Sequence, residues 1–162
     1  DKPVLNVFRM AGLMRGDRVK TESGGLVPLD AMIQDGVRGN PDVDAFAVRS
    51  DREISVLAWN YHDDDVPGPD AKVQLEIAGL SNGAARALLR HYRIDNTHSN
   101  AWTVWKKMGS PQEPSPEQYT ALETAGQLQE LESPRWIEAR DGNTKLDITL
   151  PRQGVSLLQL SW

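Results

Sequence analysis

A short segment in the second half of the chain concentrates the residues that could bind a ligand. It reads THSNAWTVW and contains His98, Asn100, Trp102 and Trp105. Residues three apart are neighbours on a helix surface, so the two tryptophans are expected on one helical face. Aromatic rings can stack on the apolar C–H surface of a sugar, which makes a carbohydrate contact one interpretation. The alternative is that the rings attach the segment to the rest of the domain and that His98 has a hydrogen-bonded structural role.

The other polar residues form no recognisable catalytic constellation. The chain has 23 Asp and Glu, but no spacing among them requires the close carboxylate pair of a retaining glycosidase. The acidic run Asp63–Asp65 lacks the ligand spacing of a calcium loop, so a solvated loop is expected. His62, His91 and His98 have no spacing that requires a metal site, and His91 is expected at the surface of a strand. No catalytic residue, metal site or cofactor is therefore predicted.

The composition restricts the class of protein. A length of 162 residues suits one domain, and a hydrophobic fraction of 39% is enough for a core. The net charge of −5 disfavours binding to nucleic acid phosphates. No apolar run approaches the roughly 20 residues that a membrane-spanning helix needs. Neither a nucleic acid nor a membrane is therefore predicted as a partner, and the absence of cysteine leaves the compartment open.

Alternation of apolar and polar residues predicts a mainly β domain. Val73, Leu75 and Ile77 alternate with polar residues, as in a half-buried strand. Asp-Gly at residues 141–142 is a hairpin signal. Several short strands separated by turns predict an antiparallel β-sandwich. The predicted strands are 43–49, 53–61, 72–80, 86–95 and three between 134 and 162; residues 17–39 are assigned to short strands and loops, and Trp59, Trp136 and Trp162 to the core.

A helix is predicted at the start of the chain. The predicted range is Pro3–Arg15, and Pro3 is compatible with its start because proline is tolerated in the first turn of a helix. Asp1 could cap this helix and Gly16 could end it. Its apolar stripe must pack on the rest of this chain or on a missing domain. The stripe consists of Val4, Leu5, Phe8, Leu13 and Met14.

A helical insert at about residues 98–130 interrupts the strand pattern. Ser99 or Asn100 could cap a first helix over Ala101–Met108. The sequence SPEQ at residues 115–118 has a cap, a proline at the first helical position and a capping-box glutamine, which predicts a second helix. The buried stripe of the second helix is expected to contain Tyr119, Leu122, Ala125, Leu128 and Leu131.

The insert and its flanks resemble a known family. The segment from Tyr92 to Gln129 contains YRID, HSNAW, MGSPQ and PEQYTALETAGQLQ. This set of motifs is similar to the C-terminal part of β-xylosidases of glycoside hydrolase family 39. The segment KPVLNVFRMAGLM, from Lys2 to Met14, resembles the last barrel helix of the same family. Relatives often have tyrosine at the position of Trp102, and either side chain suits aromatic packing.

The resemblance implies a larger, two-part enzyme. Such enzymes have a (β/α)8 barrel followed by a β-sandwich, and they release xylose from xylo-oligosaccharides with retention and without a cofactor. Both catalytic glutamates belong to the barrel, and its Asn-Glu-Pro motif is absent from this chain. No catalytic residue is therefore carried over, and Glu113 and Glu117 match no catalytic motif. The resemblance implies that residues 1–16 are the last barrel helix and that 17–162 are an accessory sandwich.

Three functional interpretations follow. In the first, the chain is a non-catalytic C-terminal fragment of a β-xylosidase, and its partner is the missing barrel of the same polypeptide. His98, Asn100, Trp102 and Trp105 would then help to wall the pocket for xylo-oligosaccharide. In the second, the two tryptophans make the chain a xylan-binding module; in the third, the domain is purely structural. The stripe of the first helix would favour self-association, so a homo-oligomer is one expected state of the isolated chain.

Overall fold

The structure is a computed structural model that describes residues 2–81 and 83–162, a range containing four helices and nine strands. None of these helices is long and apolar enough to cross a membrane. The helices are α1 (Pro3–Leu13), α2 (Leu29–Asp35), α3 (Ala101–Lys107) and α4 (Pro116–Ala125). The strands are β1 (Asp17–Val19), β2 (Asp42–Arg49), β3 (Glu53–Tyr61), β4 (Ala71–Ala78), β5 (Arg86–Ile94), β6 (Gln129–Glu130), β7 (Arg135–Glu138), β8 (Asn143–Leu150) and β9 (Val155–Ser161).

Seven strands form one antiparallel sheet. Its order is β1-β2-β3-β9-β5, and both β6 and β7 pair with β5. The central strands β3 and β9 are buried along most of their length, because both faces of the sheet are covered there. Leu57 of β3 lies opposite Leu157 of β9, which fixes the register at the centre of the sheet.

A second sheet of two strands, β4 and β8, covers one face of the large sheet. The main core lies between the two sheets, so the predicted mainly β class with an antiparallel sandwich is confirmed. The predicted alternation on β4 is also confirmed, because its even-numbered polar residues are exposed and its apolar residues point inward. The fully or nearly buried core residues include Ile54, Val56, Ile77, Ala87, Leu89, Leu146, Leu158 and Leu160.

Helix α1 packs on the opposite face of the large sheet. Met10 is fully buried against Leu57, Ile94 and Leu157 in a second, smaller apolar cluster. The division of the chain into residues 1–16 and 17–162 stays a prediction. In this structure α1 and the sheet share one packed interface.

Two local signals in the sequence produced the expected backbone. Asp141 and Gly142 both have positive φ, 50° and 73°, as a two-residue hairpin turn of type I′ requires. Ser115 accepts a hydrogen bond from the Gln118 backbone N–H, and the Gln118 side chain accepts one from the Ser115 N–H. The predicted capping box at the start of α4 is therefore confirmed.

Several boundaries and one helix differ from the sequence-based prediction. α2 was assigned to loops and short strands, because its seven residues are too few for a clear periodicity. α1 ends at Leu13, two residues early, and its cap position is Lys2. Asp1, the predicted cap, lies outside the described residues. α4 ends at Ala125, so the last two residues of its predicted stripe belong to the following segment. The prediction that this stripe is buried is also wrong, because α4 has no buried residue and Tyr119 is 59% exposed.

Two residues have the opposite environment from the one predicted. Trp136 was assigned to the core, but 55% of its surface is exposed, because β7 is a short strand at the edge of the sheet. His91 was expected at the surface and is buried in the main core face. Its ring Nε2 is 2.8 Å from Ser156 Oγ, which also accepts a hydrogen bond from Arg93 Nε. Burial, reinforced by the charge of Arg93, lowers the pKa of His91 to about 4.

Candidate functional site

The helical arm, defined as residues 98–128, begins at a turn built around Asp95. One carboxylate oxygen of Asp95 accepts hydrogen bonds from the backbone N–H groups of Thr97 and His98, at 2.7 and 2.8 Å. The His98 ring Nδ1 lies 3.0 Å from the same oxygen. Burial would raise the pKa of Asp95, but the hydrogen bonds from Thr97 and His98 together outweigh it and lower that pKa. His98 is therefore part of the turn that starts the arm.

Ser99 joins the two ends of the arm. Its hydroxyl donates to the Arg93 carbonyl at 2.7 Å and accepts from the Gln129 N–H at 2.8 Å. The residue is fully buried and has a φ of 53°, which is uncommon for a residue other than glycine. The start of the arm is thus fixed to the residue that follows its end and to the end of β5.

Asn6 of α1 holds the same two ends from the other side. Its side-chain amide donates to the Ser99 carbonyl at 2.8 Å and to the Gly126 carbonyl at 3.1 Å. Arg9 donates to the Asn6 side-chain oxygen at 2.7 Å and to the Gly126 carbonyl at 3.1 Å. We call this group, Asn6, Arg9, Ser99 and Gly126, the arm clamp. Asn6 is fully buried, so its two hydrogen bonds to the arm are shielded from water.

Asn100 starts the first helix of the arm, as one of the two predicted caps. Its side-chain oxygen accepts from the Thr103 N–H at 3.2 Å, and its amide donates to the Asp95 carbonyl at 2.9 Å. Both His98 and Asn100 are thus engaged in local hydrogen bonds. The assignment of His98 and Asn100 to the wall of a substrate pocket stays a prediction.

The two tryptophans of the arm have different environments. Their rings stack at 4.8 Å between centroids with an interplanar angle of 26°. The indole N–H of Trp105 donates to the Pro111 carbonyl at 3.0 Å and so fixes the turn between α3 and α4. Trp102 is 52% exposed, and Lys106 Nζ lies 5.5 Å from its ring centroid. Trp105 therefore stabilises the arm, and Trp102 is the ring that a partner or ligand could reach.

A second surface lies on the helices that cover the large sheet. Four residues of the predicted α1 stripe are exposed, Val4, Leu5, Phe8 and Leu13, with Phe8 at 69%. The fifth, Met14, packs against the smaller apolar cluster. Helix α2 has no buried residue. We call this set of side chains the outer apolar face. Its members are Val4, Leu5, Phe8 and Leu13 on α1 together with Leu26, Leu29 and Ile33 on and before α2.

A cavity of about 350 Å³ lies between α1, α2 and the ends of β3 and β9. Val7, Met32 and Leu57 form part of its apolar lining. Trp59 also lines it, and its indole N–H donates to the buried carboxylate of Asp42 at 2.7 Å. Among the described residues, no group of three or more His, Asp and Glu side chains could hold a metal ion.

The clamp residues of α1 were not predicted from the sequence. Asn6 and Met10 are four residues apart and form the inward face of the helix. The larger apolar stripe lies on the outward face, and the packing surface of the helix was predicted from that stripe. A polar residue four positions from a methionine is too weak a signal to identify a buried clamp. Its partners lie 93 and 120 residues away, and no local pattern connects them.

Comparison with known proteins places these features in a family. The family described as glycosyl hydrolases family 39 matches residues 1–144. A β-xylosidase from Geobacillus stearothermophilus is 31% identical over 112 residues, which are 69% of this chain and 21% of that protein. A β-xylosidase from Caldicellulosiruptor saccharolyticus is 26% identical over 157 residues, 96% of this chain and 29% of that protein. An α-L-iduronidase from Mus musculus is 29% identical over 169 residues, 98% of this chain and 25% of that protein.

The fold is also found in solved structures. The GH39 enzyme from Xanthomonas axonopodis pv. citri superposes with a TM-score of 0.63 at 17% identity, over 77% of this chain and 28% of that one. The chain thus spans between about a fifth and three tenths of the length of the relatives that it matches. Because the family match covers residues 1–144, most of the chain, this chain belongs to glycosyl hydrolase family 39.

Proposed function

We propose that this chain is the non-catalytic C-terminal part of a retaining β-xylosidase that acts on xylo-oligosaccharides. In this proposal the outer apolar face supports the catalytic barrel of the same polypeptide, and the helical arm helps to shape the entrance of its active site. The observation that carries the proposal is the outer apolar face itself. Seven large apolar side chains at the surface favour a partner, and the two β-xylosidases are roughly three times as long as this chain, which leaves room for one.

The arm clamp supports the second part of the proposal. A barrel that docks on the outward face of α1 would lie against the same helix whose inward face holds the arm through Asn6. The distance between the two faces is the diameter of one helix, about 10 Å. An arm fixed in this way has a defined orientation relative to the barrel, and Trp102 is its exposed aromatic side chain.

Docking is tested by the substitution Phe8→Asp in two contexts. In the isolated 162-residue chain this side chain is mostly exposed and contributes little packing, so we expect a change in the free energy of unfolding below about 0.5 kcal/mol. In the complete protein the same substitution should place a charge in a buried interface and cost at least about 2 kcal/mol. Lys72→Gln changes the net charge equally on the far side of the sandwich and serves as the control. An equal effect of Phe8→Asp in both contexts would refute docking at this face.

Activity tests the non-catalytic assignment. The purified chain should not hydrolyse an aryl β-xyloside above a buffer blank, and addition of a separately prepared barrel should restore turnover. Turnover by the chain alone that persists through further purification would refute the assignment. In the complete enzyme, Trp102→Ala should raise KM and leave the melting temperature unchanged. Unchanged KM and kcat would contradict the proposal that the arm helps to shape the entrance of the active site.

A second candidate function is a xylan-binding module, which the exposed ring of Trp102 favours. It predicts that xylohexaose shifts the indole resonance of Trp102 in a saturable way in the isolated chain. Shifts that are absent at millimolar sugar would remove this candidate. The purely structural interpretation predicts that removal of the domain lowers stability without altering KM.

A further inference from the structure

The cavity between α1 and α2 is a recess in the outer apolar face. Val7 of α1 and Met32 of α2 are half-buried residues of its wall. Each has an exposed apolar residue three positions before it on its own helix, Val4 and Leu29, and both of these belong to the outer apolar face. Tyr61 is a further wall residue and is 46% exposed, so the cavity opens at the surface. We call it the α1–α2 cavity.

One buried carboxylate belongs to the wall of the α1–α2 cavity. Asp42 is 4% exposed and is the only charged residue of the lining, whose other members are apolar, aromatic or amide residues. Its two carboxylate oxygens accept hydrogen bonds from the Val27 backbone N–H at 2.8 Å and from the Trp59 indole N–H at 2.7 Å. A carboxylate can accept about four hydrogen bonds, so both oxygens can take a further donor.

Asp42 also has no counterion within the described part of the chain, residues 2–81 and 83–162. None of the ion pairs found there involves this carboxylate. A buried charge is costly unless it is paired or well hydrogen-bonded. An additional donor from a docked partner would therefore stabilise Asp42.

The volume and the chemistry of the α1–α2 cavity together select the side chain that fits it. A volume of about 350 Å³ is at the lower end of the range for ligand sites, which suits one large side chain. The apolar walls favour a long apolar or aromatic body, and Asp42 favours an N–H or O–H group at its tip. Tyrosine, tryptophan and arginine combine these properties, and the same three residues are enriched among those that contribute most to the binding energy of protein interfaces.

We propose that the α1–α2 cavity receives one tyrosine, tryptophan or arginine side chain of the catalytic barrel, and that this side chain donates a hydrogen bond to Asp42. The inference rests on the proposed function, because its partner is the barrel of the same polypeptide. It adds that docking on the outer apolar face depends on one inserted side chain with a polar tip and a buried carboxylate that receives it.

The first test uses small analogues of side chains on the 162-residue chain. Toluene, 4-methylphenol and n-propylguanidinium correspond to phenylalanine, tyrosine and arginine, and binding is followed by the indole N–H resonance of Trp59, which is hydrogen-bonded to Asp42. Without an acceptor in the cavity, the phenol hydroxyl would lose its hydration and 4-methylphenol would bind more weakly than toluene. We expect at least one of the two donors to bind at least about 5-fold more tightly than toluene. A preference for toluene, or no shift with any analogue, would overturn the proposal.

The second test fills the cavity in two contexts. Met32→Trp places a large side chain at the cavity, where it would compete with a side chain of the barrel. We expect the urea midpoint to change by less than about 0.2 M in the 162-residue chain and to fall by at least about 0.5 M in the complete protein. Lys72→Trp introduces the same side chain at an exposed position of β4 and should have equal effects in both contexts.

Phe8→Asp separates this inference from the proposed function. If Phe8→Asp is more costly in the complete protein and Met32→Trp is not, the barrel docks on the outer apolar face without entering the α1–α2 cavity, and the inference is overturned while docking stands. If neither variant depends on the context, docking and the inference are both overturned.

Discussion

Removal of the Asn6 side chain should loosen the helical arm from the rest of the domain. Asn6→Ala deletes the two hydrogen bonds that join α1 to the carbonyls of Ser99 and Gly126. A buried hydrogen bond contributes about 1 kcal/mol net, and a buried carbonyl left without a donor costs about 1–3 kcal/mol. Arg9 still donates to Gly126, so only the Ser99 carbonyl loses its donor from α1. The expected loss in the free energy of unfolding is about 3 kcal/mol.

The assay must separate local loosening from global destabilisation. Urea unfolding followed by tryptophan fluorescence gives the total loss in the isolated chain. Amide hydrogen exchange then shows where protection is lost, and we expect the largest decrease in α3 and α4. Phe8→Ala is the matched control, because it truncates a side chain on the same helix that is exposed and outside the clamp.

Two results would refute this reasoning. A loss below about 0.5 kcal/mol would mean that the clamp contributes nothing beyond what water can replace. A loss of the expected size that leaves the relative protection of the arm unchanged would mean that Asn6 stabilises the sheet and not the arm. Asn6→Asp adds a further check, since it keeps the acceptor for Arg9 and lacks the amide donor, so it should not restore arm protection.

Further predictions concern pH, the tryptophan pair and two glycines. The pKa of His91 is lowered to about 4 in the folded chain from 6.5 in the unfolded chain, so the unfolded chain takes up the proton first as pH falls. The stability that neutral His91 contributes is therefore complete above pH 6.5 and is lost between about pH 6.5 and 4. The free energy of unfolding from urea titration should be lower by about 2–3 kcal/mol at pH 4.5 than at pH 7.5, and His91→Gln should show a smaller pH-dependent loss. Trp105→Ala should lower the free energy of unfolding by about 2–4 kcal/mol, because it removes both the stack and the hydrogen bond in the turn between α3 and α4, whereas Trp102→Ala should cost less than about 1 kcal/mol. Gly16→Ala should cost more than about 2 kcal/mol, because φ is 102° and a Cβ would collide with the backbone carbonyl at the end of β2. Gly12→Ala, with open space around it inside α1, should stabilise the chain by about 0.5–1 kcal/mol, and thermal unfolding of the two variants shifted in the same direction would contradict this.

The sequence was sufficient for features that depend on neighbouring residues. The alternation on β4, the Asp-Gly turn and the capping box of α4 are each set within a few positions, and each was predicted. α2 was missed because seven residues with no strong cap hydrogen bond give little local signal. Its position depends on contacts with the sheet, which only the folded chain supplies.

Long-range features could not be predicted from local patterns. His91 occupies a strand position that reads as polar, but both sheets close over it, and Ser156 supplies its partner 65 residues away. Trp136 reads as a core residue, but its strand is the last one on that side of the sheet. In both cases the environment of the side chain is decided by which strands become neighbours. The same holds for Asn6, whose role depends on hydrogen bonds to two carbonyl groups that are distant in the sequence.

In the proposed function, the two faces of α1 would connect the support of a barrel with the position of the arm. This helix turns Asn6 and Met10 inward and leaves Phe8 at the surface. The buried face is specific, because the amide of Asn6 fits the two carbonyls at the ends of the arm. The outward face is generic and apolar, as expected for a surface that a large partner covers. A helix of 11 residues moves as one body, so any shift of α1 that follows docking on its outer face must also move Asn6, and with it the arm.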